Sequence, residues 1–187
     1  MRNSKIISIL SIMFIMFSGF FSGESNSELA KQRVSESKKT LKLLYKYAPK
    51  AKKMIASSYG YATFTNVGVN LILFSAEGGK GLAYNNHTKK RIYMNMGSGG
   101  VGFGLGVKDF RAIFIFKNKK VFNAFVNNGW EANAQADAAM KAGKDGDAVT
   151  AAITVSPGVR LYKLTQNGLA LQATIQGTKY WKDGDLN

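Results

Sequence analysis

Glycine placement limits this fold more than any other feature. Of the 20 glycines in the 187-residue chain, only Gly19 and Gly23 precede Gly60. From Gly60 onward they recur in turns and inside apolar runs, with only 2 prolines in the whole chain. Glycine in a helix interior costs roughly 1 kcal/mol relative to alanine. Helix is therefore expected in the glycine-free stretch, and strands with tight turns after it. The sharpest pattern is Gly100-Val101-Gly102-Phe103-Gly104-Leu105-Gly106-Val107, where every second residue is glycine. A period of two is extended chain. Hydrophobic content of 45% excludes wholesale disorder. There is no Gly-X-Y repeat, which excludes collagen, and the length fits one domain of roughly 100–200 residues.

The first residues bear on compartment. Arg2 and Lys5 precede an apolar run over 6–21, broken by Ser8, Ser11, Ser18 and Gly19. The small residues Ser22 and Gly23 and the polar stretch Glu24-Ser25-Asn26-Ser27 come next. This order predicts a secretory signal over 1–23, with cleavage near Gly23 although Phe21 is not the small residue expected upstream. An uncleaved anchor is the rival, because the run is only slightly shorter than the ~18–20 residues of a span. Export places the protein in the periplasm or outside the cell, peripheral on the envelope membrane.

Charge then names the partner class. The 26 Lys and Arg outnumber 11 Asp and Glu, for a net charge of +15. Such an excess fits a polyanion. Export sets nucleic acid aside and favours anionic lipid, lipopolysaccharide or acidic polysaccharide. Absence of Cys removes disulfides, thiolate metal sites, a Cys nucleophile and a lipid on an N-terminal Cys.

Residues 24–58 form the basic segment, with helix expected from Ser27-Glu28 to Ser57. Glu24, Glu28 and Glu36 lie toward its start, where the helix dipole favours negative charge. Ala30, Val34, Ser37, Leu41, Leu44, Tyr45 and Ala48 recur at three- and four-residue steps and predict the apolar face. Lys38, Lys42, Lys46 and Lys50, with Lys53, form a stripe beside it. Leu43, Tyr47 and Met54 border the stripe, and Pro49 should kink or restart the helix. A helix lying on a membrane has this shape, and each Lys near an anionic surface is worth on the order of 1 kcal/mol. So does a helix docked on its own domain with its lysines in water.

The body, 59–187, reads as strands and turns. Strands are expected over 67–75, 81–84, 91–96, 101–107 and 110–116, with turns at Glu77-Gly78-Gly79-Lys80 and Asn85-Asn86-His87-Thr88. Residues 119–127 predict a short helix, 130–140 alternate, and 141–147 read as loop. A closing hairpin is expected from 159–164 and 169–176 around Gln166-Asn167-Gly168, extended by 178–181. Together these predict an α+β fold: a strongly curved or barrel-like antiparallel sheet with an N-terminal basic amphipathic helix and one or two short helices.

Three segments in this order resemble the SYLF domain, a lipid-binding domain of eukaryotic membrane-trafficking proteins and bacterial envelope proteins. They are Ala62-Thr63-Phe64-Thr65-Asn66-Val67 with Gly78-Gly79-Lys80-Gly81-Leu82; 99–106 with Ile113-Phe114-Ile115-Phe116; and 128–136 with Gly168-Leu169-Ala170 and Gly177-Thr178-Lys179. Thr65 stands where the family usually has Pro, Gly68-Val69-Asn70 lacks its Lys and paired Gly, and Asn133 replaces a common Gly. The resemblance implies lipid binding without catalysis.

Other motifs read as structure. Gly97-Ser98-Gly99-Gly100-Val101-Gly102 matches G-x-G-x-x-G, but the next residues alternate as strand instead of entering a helix. His87 is the one histidine and fits a solvated turn, so neither a zinc site nor a Ser-His-Asp set is expected. Asp145-Gly146-Asp147 and Asp183-Gly184-Asp185 lack the spaced acids of a calcium loop and read as turns. Trp130, Trp181, Tyr180 and Phe110 fit core packing better than interface anchors. No cofactor, metal or catalytic residue is assigned. The lipid-site residues expected are Lys38, Lys42, Lys46, Lys50, Lys53, Lys89, Lys90 and Arg91, with Lys117, Lys119 and Lys120 as a further basic cluster. The alternatives are a structural or host-facing adhesion module without lipid preference, a small outer-membrane barrel, and an envelope-polymer hydrolase.

Overall fold

The computed structural model describes residues 25–66, 76–99, 109–132, 152–170 and 177–187. Helix α1 spans Asn26–Tyr47 and α2 spans Lys50–Ser57. A capping box opens α1: the Ser25 hydroxyl accepts the Glu28 N–H at 3.3 Å, and the Glu28 carboxylate accepts the Ser25 N–H at 3.2 Å. Each side chain thus satisfies the other's backbone donor. The break falls at Ala48 and Pro49, where proline has no N–H to continue the ladder.

Nine strands are seen among the described residues of the body: β1 (Gly60–Thr65), β2 (Ala76–Asn85), β3 (Arg91–Gly99), β4 (Arg111–Phe116), β5 (Trp130–Glu131), β6 (Ile153–Ser156), β7 (Val159–Thr165), β8 (Gly168–Leu169) and β9 (Thr178–Lys182). Helix α3 (Lys119–Asn128) joins β4 to β5, as the spacing of Phe122, Phe125 and Val126 predicts. All pairings are antiparallel, in the order β5-β9-β3-β2-β1-β4-β7-β6, with β8 also on β7. The sheet curls into a half-barrel, so the expected α+β class and strong curvature hold.

Alternation sends side chains to two apolar layers. On one face Phe64, Met94, Met96, Phe114, Phe116 and Leu161 pack with Phe122, Phe125 and Val126 of α3. Tyr180 joins them, its ring 4.7 Å from Phe64 and 4.9 Å from Phe114, both edge-on. On the other face Ile113, Ile115, Tyr162 and Leu164 meet Leu44, Ala48, Ala51 and Ile55 of the two N-terminal helices.

Three sequence expectations change. Glu77-Gly78-Gly79-Lys80 is not a turn but lies within β2. A Cβ on Gly79 would stand 2.9 Å from the Thr65 carbonyl oxygen and collide with Met96, and one on Gly81 would collide with the Phe64 ring. These glycines let neighbouring groups approach a strand closely; they do not reverse the chain. The hairpin of β7 and β8 forms, with Leu164 opposite Leu169, but β9 does not extend it and pairs with β3 and β5. Strands β1 and β6 have no counterpart among the expected strands: Gly60–Thr65 carries no apolar run, and the four residues Ile153–Ser156 are too short for a clear period. The readings for 1–23, 67–75, 101–107, 133–140, 141–147 and 171–176 lie outside the described residues.

Candidate functional site

Helix α1 crosses its sheet face in two different ways. Its C-terminal half uses apolar contacts through Leu44 and then Ala48. Its N-terminal half uses a polar seam. Arg33 and Asp183 pair at 2.5 Å, each side chain 6% exposed. Arg33 also donates to the Met94 carbonyl at 2.8 Å. Thr63 donates to the Ser37 hydroxyl at 2.8 Å, and Arg111 donates to the Thr40 hydroxyl at 2.9 Å with Glu36 at 3.6 Å. Asp183 spends its other oxygen on the N–H groups of Asp185 and Leu186, which makes Asp183-Gly184-Asp185 the expected turn. Burial alone would raise the Asp183 carboxyl; those N–H bonds and the Arg33 guanidinium outweigh it and hold it below its ordinary range.

The seam rotates the helix from its expected setting. Arg33, Ser37, Thr40, Leu44 and Ala48 are buried, whereas Ala30, Val34, Leu41 and Tyr45 are only half-buried. The reason is the sheet face beneath, where Thr63, Thr65, Arg111 and Asn95 ask for polar partners. The more apolar strip of the helix is left as a shelf along one flank. Lys38, Lys42 and Lys46, all exposed, run beside that shelf, one step further round the helix. Lys46 also lies over the Tyr47 ring, 5.2 Å from its centre.

A groove opens where this flank meets β3. Lys31, Lys38 and Arg91 surround it, Ala30, Val34 and Tyr93 form its apolar side, and among the described residues no carboxylate lines it. Further along the flank, Tyr61 and Tyr84 stack obliquely at 5.5 Å. The Tyr61 phenol is pushed up to about 12 by burial and by the neighbouring Tyr45 and Tyr84, with Arg91 opposing. The flank is therefore basic at its rim and rich in tyrosine beneath, a pairing common where protein meets a membrane interface.

The structure sorts the expected site residues. Lys38 and Arg91 come together in the groove. Lys42 and Lys46 continue its rim along α1, while Lys50 and Lys53, exposed on α2, take the new helix direction after Pro49. Lys89 and Lys90 sit exposed in the turn before β3 and do not line the groove; Lys89 instead donates to the Asn86 carbonyl at 2.5 Å. Lys119 and Lys120 begin α3, and Lys117 lies near α2. His87 is exposed, its ring stacked 4.7 Å from Tyr59. Tyr180 and Phe110 are buried and Trp130 packs on the core, but Trp181 is 44% exposed. Trp181 faces Asn95, four residues along β3 from Arg91, or about 13 Å.

Sequence reasoning missed Lys31, Tyr61, Tyr84 and Tyr93. The signal was present in the strand alternation. Tyr93 and Arg91 oppose core-facing Met94, and Tyr61 alternates with buried Ala62, so all three point toward α1.

No family model matches the chain. The chain is 37% identical over 143 residues to Beta cell expansion factor A of Aeromonas veronii, a match covering 76% of this chain and 53% of that protein. The chain thus spans about half the length of the curated relative it matches. Among the described residues, no helix is long and apolar enough to cross a membrane.

Proposed function

We propose that the chain is an exported, non-catalytic protein of the SYLF type that binds an anionic membrane surface through the flank of α1. The observation that carries this reading is the convergence of Lys31, Lys38 and Arg91 on an apolar groove whose lining has no carboxylate among the described residues. Cations above half-buried apolar groups suit lipid head groups above acyl chains. Docking of α1 leaves its lysines outward, so the helix serves the domain and the surface together.

Co-sedimentation tests it, with vesicles of phosphatidylcholine alone or with added phosphatidylglycerol. Binding should require the anionic lipid and weaken as salt shortens the screening length from ~10 Å at 0.1 M to ~3 Å at 1 M. Changing Lys38, Lys42, Lys46 and Lys50 to Gln removes up to about 4 kcal/mol, which is close to a thousandfold in affinity. Undiminished binding by that variant refutes the reading.

The alternative reading is a structural or host-facing interaction module without lipid preference; the relative that the chain matches is named a beta cell expansion factor. That reading expects a protein partner and no preference between the two vesicle compositions.

A further inference from the structure

A second opening on the helix side of the sheet differs in kind from the α1 flank. It is a pocket of about 410 Å³ between the last turn of α2 and the strands β4, β6 and β7. Ile115, 4% exposed, gives it an apolar floor and Met54 an apolar wall. Lys117 and Arg160, both exposed, stand at its mouth with the hydroxyl residues Ser57 and Thr154.

Among the described residues no carboxylate answers these two cations. Among the described residues neither Lys117 nor Arg160 forms an ion pair, and Arg160 Nη1 rests 3.6 Å from the Met54 thioether. Lys53 lies four residues before Ser57 on α2, which brings a third cation to the same side. A helix C-terminus ordinarily repels anions. Here the last carbonyls of α2 are occupied: Ser57 donates to Met54 O at 3.2 Å, and Ser58 and Asn86 each donate to Ile55 O at 2.7 Å.

Cations and hydroxyls above an apolar floor match an acid head joined to an alkyl chain. A free anion would leave the floor unused, and an alcohol would leave the cations without a partner. The volume sits low in the ~300–1,000 Å³ range of small-molecule sites, which suits one short chain and not a two-chain phospholipid. We infer that this pocket binds a single-chain anionic amphiphile, with its acid head held by Lys117 and Arg160 and its first carbons on Ile115 and Met54. This site is separate from the α1 flank and does not rest on vesicle binding.

Calorimetric titration of the full chain with octyl phosphate, inorganic phosphate and octanol tests it, all below the micelle threshold. Octyl phosphate should bind saturably and shift the Met54 ε-methyl resonance. Lys117→Gln and Arg160→Gln should each weaken binding about tenfold, in line with ~1.5–3 kcal/mol for a charged hydrogen bond. The double variant should lose roughly a hundredfold. Both side chains are exposed, so the variants should unfold at the wild-type temperature and still bind anionic vesicles. Inorganic phosphate or octanol binding as tightly as octyl phosphate overturns the inference, as does undiminished binding by the double variant.

Discussion

Replacing Asp183 by Asn tests the polar seam under α1 directly. The change keeps the shape of the side chain and an oxygen for the N–H groups of Asp185 and Leu186, and removes only the charge facing Arg33. Were the pair exposed, its loss would cost ~0.2–1 kcal/mol. With both side chains 6% exposed, the loss leaves a buried guanidinium without a counter-charge, a change worth ~3–5 kcal/mol. Arg33 keeps its bond to the Met94 carbonyl, so the low end, about 3 kcal/mol, is expected. At ~2–4 °C per kcal/mol for a chain of this size, the unfolding midpoint should fall by roughly 6–12 °C. Urea titration followed by tryptophan fluorescence and far-UV circular dichroism measures it. Arg33→Met should cost a similar amount, and Arg33→Met with Asp183→Leu less than the sum, because removing both partners strands no charge. A loss below about 1 kcal/mol, or strict additivity, refutes this account of the seam.

The same pair fixes a pH dependence. The Asp183 carboxyl is held below its ordinary value in the folded chain, so its contribution is complete above the unfolded value of about 3.9. It disappears as pH falls through the lower folded value. The stability gap between the wild type and Asp183→Asn should therefore stay constant from neutral pH down to about 4 and close below it.

Other perturbations act through packing and burial. Gly79→Ala and Gly81→Ala should each cost about 1–3 kcal/mol in urea unfolding, since their Cβ atoms would meet backbone oxygens at 2.9 and 2.8 Å as well as neighbouring side chains. Gly184→Ala, with nothing within 4 Å, should stay within about 0.5 kcal/mol of wild type. The Tyr180 hydroxyl is buried and has no hydrogen-bond partner among the described residues, so Tyr180→Phe should raise stability by about 1 kcal/mol; a loss would show that the hydroxyl is satisfied. Tyr61, with its phenol at about 12, favours the neutral form in the folded chain. Its contribution is present below about pH 10 and lost as pH rises toward 12, a loss that Tyr61→Phe should abolish in alkaline unfolding curves.

How much the sequence disclosed depended on how local each determinant was. The helix break came from Pro49 alone, and α3 from the spacing of Phe122, Phe125 and Val126. The core face of β3 came from Ile92, Met94 and Met96, a period of two within six residues. Gly78 and Gly79 misled because a glycine pair marks a turn as readily as a close contact, and only Thr65 and Met96, distant in sequence, distinguish the two. The setting of α1 was illegible for a similar reason. Arg33 and Thr40 are polar by type, and their burial depends on Asp183, 150 residues away, and Arg111, 71 residues away. The groove needed both halves of that information. Lys38 was visible in the helix stripe, but its nearness to Arg91 depends on where the seam seats the helix.

That seating bears on the proposed activity. A helix docked only for stability gains most by burying its apolar strip, at about 25 cal/mol per Å² removed from water. Here Ala30, Val34, Leu41 and Tyr45 stay half in water while an arginine and a serine go beneath the helix. A buried ion pair in this place is often no more stable than apolar residues of the same volume. The pair's evident effect is on position: Arg33 and Asp183 fix the rotation of α1, and that rotation sets the apolar shelf beside Lys38 and Lys42 and opposite Arg91. On the membrane reading, the shelf and its cations are the binding surface, and the seam holds them in register. Arg33→Met with Asp183→Leu separates the two roles. If stability recovers but the helix is free to turn its apolar strip inward, affinity for anionic vesicles should fall with every lysine still in place. Vesicle binding unchanged in that variant would leave charge alone as the determinant and the shelf without a part in it.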